Sequence, residues 1–145
     1  MQKAQLSLDL LLTLIVAIMI ISSFGGLIEN FRIDEEKLLV QRQLNDITIK
    51  TASVITSAQS IADTDFYIEL AVNKIQYVDE KGNTHNIYPD IIVIADDNKL
   101  AASTVISTKS GLIEINSSAY ISKTSNTDIN TSQIKTRGVL VVKNV

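Results

Sequence analysis

The sequence predicts an α+β protein: one long N-terminal helix followed by a small, mostly antiparallel β head. Three observations predict it. Leu6 to Ile28 is a nearly unbroken apolar run, no proline occurs before Pro89, and after Asp63 the chain turns into short β-branched and aromatic runs separated by turn residues.

The apolar run is roughly 23 residues, about 35 Å as a helix, which is enough to cross the hydrocarbon core of a bilayer. A secretory signal peptide has a shorter apolar core that ends in a small-residue cleavage site. Here "SSFGGLIEN" passes straight into charged, helix-compatible sequence, so a membrane-spanning helix is expected. Gly25-Gly26 is its one weak point, a site for a bend or a melted turn. Lys3 precedes the run while Glu29, Asp34, Glu35 and Glu36 follow it, which places the start in the cytoplasm and the head outside.

From Asn30 the pattern becomes amphipathic. Ile33, Val40, Leu44, Ile47, Val54, Ala58 and Ile61 recur at helical spacing, with Arg32, Glu35, Glu36, Arg42, Asp46 and Lys50 between them. That is one buried stripe on a helix. A single helix of roughly 55 residues, from near Gln5 to about Ala62, is the expectation.

The remainder reads as strands: "FYIELAV", "KIQYVDE", "HNIY", "DIIVIA", "LAASTVIST", "GLIEIN", "AYISK" and "GVLVVKNV". Lys81-Gly82-Asn83 joins the second and third as a hairpin. Asp96-Asp97-Asn98 and Lys109-Ser110-Gly111 are further turns, and "KTSNTDINTSQ" is polar enough for an exposed loop.

Composition narrows the chemistry. Among 145 residues with a net charge of −3 there is no cysteine and one histidine, His85. Disulfides, thiolate zinc sites and cysteine nucleophiles are excluded, and a transition-metal site would need carboxylates alone. Lysines and arginines are scattered singly among acids, so no nucleic-acid partner is indicated. Asp63-Thr64-Asp65 and Asp96-Asp97-Asn98 lack the spacing of an EF-hand and read as turns. "STKSG" lacks the glycine that a phosphate-binding loop needs before its lysine, and no nucleophile-elbow pattern accompanies His85. No enzyme activity, metal or cofactor is expected.

The start of the chain carries a motif. "AQLSLDLLL" resembles the processing site of archaeal type IV pilin-like precursors, the class III signal peptide group. That site has Gln, any residue, Ser, any residue, an acid that is usually Glu, three further residues, then Leu. Gln5, Ser7 and Asp9 match its first three fixed places. Thr13 stands where the leucine belongs, and Leu12 and Leu14 flank it. The resemblance implies that a prepilin peptidase cuts the Ala4–Gln5 bond. It divides the chain into a leader over 1–4, an apolar membrane or filament-core helix over 5–28, its amphipathic continuation over 29–62 and an extracellular β head over 63–145.

The resemblance also implies a role for Asp9. A carboxylate at the bilayer centre costs roughly 2.5–3.5 kcal/mol, and less near the interface. In such filaments the acid at the fifth mature position pairs with the α-ammonium of a neighbouring subunit, which offsets that cost and sets the packing register. Asp9 would hold that position. The implied partners are other copies of the chain, in a homopolymer or as a minor subunit of a mixed filament, with the membrane before assembly, the peptidase, an assembly ATPase and its membrane platform. A different class stays open: a single-pass membrane protein whose β head binds something outside the cell without polymerising.

Two N-glycosylation sequons lie in the predicted head, Asn116-Ser117-Ser118 and Asn130-Thr131-Ser132. An extracellular location makes Asn116 and Asn130 candidate glycan acceptors.

Overall fold

The computed structural model describes residues 2–60, 67–79, 81–94, 98–108, 111–122 and 127–144. Helix α1 spans Gln2–Gln59, and the strands that follow are antiparallel. By its internal contacts the chain forms two compact units, Met1–Glu35 and Glu36–Val145.

The first unit is helical, and the helix continues through Gly25 and Gly26 without a break. A melted turn does not form there: two glycines cost only about 1 kcal/mol each against alanine, too little to open the middle of a long helix. Residues 2–4, expected as a polar start outside the helix, are helical as well.

In the second unit, helix residues Val40, Leu44, Ile47, Thr48, Thr51, Ala52, Ile55 and Ala58 are buried. Their three- and four-residue spacing makes one face, as the sequence predicts. The face differs in detail from the expected stripe. Val54 and Ile33 are only half-buried, while Ile55 is completely buried. Counting apolar residues alone misses two threonines that continue the ladder. The Thr48 hydroxyl donates to the Leu44 carbonyl at 2.7 Å, which lets a polar side chain sit in the core without an unmet bond. The helix ends at Gln59, short of the expected Ala62; Ile61 and Ala62 lie outside the described residues.

Among the described residues eight strands follow: β1 (Tyr67–Ala71), β2 (Ile75–Val78), β3 (Thr84–Ile87), β4 (Asp90–Ile94), β5 (Lys99–Thr108), β6 (Gly111–Tyr120), β7 (Thr127–Asn130) and β8 (Val139–Asn144). They form three sheets, ordered β1-β8-β7, β2-β3 and β4-β5-β6. The β2–β3 hairpin forms around Gly82, whose φ of 81° is the left-handed conformation that favours glycine. In β5, buried Leu100, Ala102, Thr104 and Ile106 alternate with more exposed neighbours, the period of a strand with one covered face. In β8, Leu140, Val141 and Val142 are all buried, as expected for the middle strand of its sheet.

Two expectations are corrected here, and one element is added. "GLIEIN" and "AYISK" are not separate strands, because β6 runs unbroken from Gly111 to Tyr120, paired along its length with β5. Asn116, Ser117 and Ser118, which look like a turn, are held extended by that ladder. The loop "KTSNTDINTSQ" contains β7, which pairs with β8. A one-turn helix, α2 (Ile134–Arg137), was not expected; it buries Ile134 and ends at Gly138 with φ 65°.

The helix also terminates sheet edges. The Gln43 side-chain amide donates to the Gln76 carbonyl at 2.8 Å and accepts from the Gln76 N–H at 2.9 Å. One glutamine thus mimics the next strand beside β2. Gln41 Nε2 donates to the Asn116 carbonyl at 3.0 Å on β6. Both contacts occupy backbone groups that an unpaired edge would offer to another chain.

Candidate functional site

From Leu8 to Ile28 every side chain of α1 is exposed. Leu10, Leu11 and Leu12 point in three directions about 100° apart, so the apolar surface surrounds the helix and has no polar face. Burying one leucine or isoleucine side chain is worth about 1.5–3 kcal/mol. A surface built from so many of them is stable only against lipid or other apolar helices. The chain therefore has one N-terminal helix long and apolar enough to cross a membrane.

Asp9 is exposed within this surface. It lies one helical turn beyond Gln5, at the spacing that places two positions on one helix face. The side chains of Ala4, Gln5 and Ser7 lie outside the described residues, although their backbone belongs to α1. Thr13, the departure from the resembled motif, donates its hydroxyl to the Asp9 carbonyl at 2.8 Å. Ser23 bonds the Met19 carbonyl in the same way at 2.8 Å. Each hydroxyl donates within its own helix, so neither proton needs water or a partner chain as acceptor.

Among the described residues of the β-rich unit a concentrated polar cluster sits in the β2–β3 turn. The Asp79 carboxylate accepts from His85 Nε2 at 2.9 Å, Asn83 Nδ2 at 3.0 Å, and the backbone N–H groups of Asn83 at 2.8 Å and Lys81 at 2.9 Å. The His85 bond, followed by those from Asn83, holds this carboxyl well below the usual carboxylate range. His85 stacks on Tyr77, ring centroids 5.0 Å apart. Asp79 is thus the partner of the lone histidine, which sequence reading missed. The chemistry it supports is turn closure, since its oxygens are already taken up by these donors.

The two sequons sit differently. Asn116 lies within β6, opposite Ser103 of β5. Asn130 is the last residue of β7, and its Oδ1 accepts from the Ser132 N–H at 2.9 Å and the Ser132 hydroxyl at 2.6 Å. Asp63, Thr64, Asp65, Asp96 and Asp97 lie outside the described residues, as do Lys109 and Ser110. Among the described residues no group of three or more histidine, aspartate or glutamate side chains is placed to hold a metal ion.

No family model, curated protein or solved structure matches the chain.

Proposed function

We propose that this protein is a structural subunit of a type IV pilus-like surface filament. The observation that carries the reading is the pairing of two features: a helix apolar around its whole circumference, and the Gln5, Ser7 and Asp9 spacing at its start. A prepilin peptidase cuts between Ala4 and Gln5. The freed helix then exchanges lipid neighbours for copies of itself. Because lipid tails are as apolar as leucine, that exchange gains little hydrophobic energy, and extraction from the bilayer needs work supplied by an assembly ATPase through a membrane platform.

Direction and register come from charge. After cleavage Asp9 is the fifth residue, and its carboxylate meets the new α-ammonium of a neighbouring subunit. In a low-dielectric helix bundle such a pair offsets the cost of burying either charge. A helix shifted along its neighbour leaves both charges uncompensated, so the pair selects one axial offset. The β-rich unit is displayed on the outside of the cell.

Mass spectrometry of the mature protein tests the cleavage: the expected N-terminus is Gln5; a chain that retains Met1 in assembled fibres overturns the processing step and the pairing of Asp9 with a new amino terminus, and a chain that retains Met1 and forms no fibres overturns the reading. Asp9→Ala tests the assembly. A filament subunit with this change inserts in the membrane but yields no sheared fibres by electron microscopy. A plain membrane anchor with the same change behaves as the unaltered protein does.

A further inference from the structure

We propose that Asn130 is the N-glycan acceptor of the β-rich unit and that Asn116, despite its sequon, is not. The inference rests on the part of the reading above that places this unit outside the cell, and it is independent of polymerisation.

The two sequons are alike in sequence and opposite in mechanical setting. A transferase must draw the acceptor asparagine and the hydroxyl two residues later into its own active site, so the segment has to leave the protein surface locally. Asn116 lies inside the ten-residue strand β6, paired residue for residue with β5, and its carbonyl is additionally held by Gln41. Its neighbours Ser117 and Ser118 are paired with Ala102 and Ala101 in the same ladder. Presenting Asn116 means unzipping β6 through its middle, and Ile115 beside it is buried in the core.

Asn130 ends the four-residue strand β7, which is an outer strand of its sheet. It and Ser132 are exposed, as are Asn116 and Ser118, so what separates the two sequons is backbone pairing and not exposure. Asn130 is the terminal pair of the short β7–β8 ladder, opposite Val141; beyond that pair the sequon is held by the two bonds from Ser132 to Asn130 Oδ1, with the Thr131 carbonyl accepting from the Ile134 N–H at 3.2 Å. Opening it breaks these contacts and leaves β8 paired with β1. The amide oxygen is the atom engaged, and Nδ2 has no bond among the described residues, so the nucleophilic nitrogen is the free end of the side chain.

The reaction takes an oligosaccharide carried on a lipid phosphate, which with a membrane-bound transferase is the required co-reactant. Nδ2 forms a bond to the anomeric carbon and loses one of its two protons to a base of the transferase. The anomeric C–O bond breaks, and its electron pair leaves with the lipid phosphate. No oxidant or reductant is needed.

The test is peptide mass mapping of the protein recovered from the cells that make it, with protease shaving of intact cells as the location control. The expected result is a sugar mass on the peptide that contains Asn130 and an unmodified peptide at Asn116. Ser132→Ala should lower occupancy at Asn130 at least tenfold, and Ser132→Thr should restore it, which separates loss of the acceptor signal from misfolding. An unmodified Asn130 on a unit that external protease can reach overturns this proposal and leaves the surface assignment standing. A glycan on Asn116 also overturns it, as does full occupancy in Ser132→Ala. A unit that stays protected in intact cells overturns the surface assignment and this proposal together.

Discussion

Residues 8–28 and residues 36–59 belong to the same helix, yet they solve opposite problems. In the first segment no side chain is buried; in the second, the face carrying Val40, Leu44 and Ile55 is completely buried. Helical backbone is common to both, so it explains neither. The difference is in patterning: apolar residues at every position need surroundings that are apolar on all sides, whereas apolar residues at three- and four-residue spacing need one partner surface. The second segment carries its partner in its own β-rich unit. The first segment is apolar on all sides and exposed along its whole length, so the folding of the β-rich unit provides no cover for it.

The comparison breaks most directly by truncating one leucine in each segment. Leu44→Ala removes a side chain with no exposure, and the expected loss is about 2–5 kcal/mol of folding stability through lost burial and a residual cavity. Leu14→Ala removes one that is 59% exposed, and the same unfolding transition should move by less than about 0.5 kcal/mol. Denaturant titration of the detergent-solubilised chain, followed by the β-rich unit's circular dichroism, measures both. Equal losses would show that the apolar segment is part of the same cooperative core.

Glycines sharpen the contrast. A Cβ on Gly25 or Gly26 meets no atom within 4 Å, and alanine there should leave the protein's folding unchanged or slightly improved. At Gly138 a Cβ would stand 2.5 Å from the Tyr88 hydroxyl oxygen and 2.6 Å from two ring carbons, at a φ of 65°. Gly138→Ala should cost about 1–3 kcal/mol, from backbone strain and a displaced tyrosine, read as a lowered midpoint in the same titration. Smaller and opposite in sign is Thr104→Val. The Thr104 hydroxyl is buried in β5 without a hydrogen-bond partner among the described residues, so replacing it with a methyl should stabilise the unit by about 1 kcal/mol.

The same contrast explains what could be read in advance. Periodicity is a local signal, so the long helix, its apolar start and the Lys81-Gly82-Asn83 hairpin were legible from the residues that form them. Strand β7 was not, because Thr127–Asn130 is polar and exists through its pairing with β8, whose apolar residues supply the burial. The merger of "GLIEIN" with "AYISK" was hidden for the same reason: Asn116, Ser117 and Ser118 prefer turns, and pairing with β5 overrides that preference. In the apolar segment Asp9 is placed on an exposed helix face, and the side chains of Gln5 and Ser7 lie outside the described residues. Gln41 and Gln43 lie between these cases. Two glutamines on a helix carry no sign that they will close the edges of β6 and β2.

The finest test concerns the lone histidine's turn, where a few polar bonds do what an apolar partner does elsewhere. The His85 and Asn83 bonds depress the folded-state pKa of Asp79 below the unfolded value of about 3.9. A carboxyl lowered by folding contributes stability that is fully present above about pH 4 and is lost as pH falls toward the folded pKa. The β2–β3 hairpin should therefore be constant from about pH 7 to about pH 5 as far as Asp79 is concerned, and loosen progressively below about pH 4. Amide hydrogen exchange of β2 and β3, corrected for the intrinsic rate at each pH, reads this locally. Asp79→Asn cannot titrate, so its hairpin should be weaker at neutral pH and should lose the acid-dependent step. If the unaltered hairpin keeps the same protection down to about pH 2, the four bonds to Asp79 are not what closes the turn. Stacking of His85 on Tyr77, which needs no carboxylate, would then be the contact that holds the two strands in register.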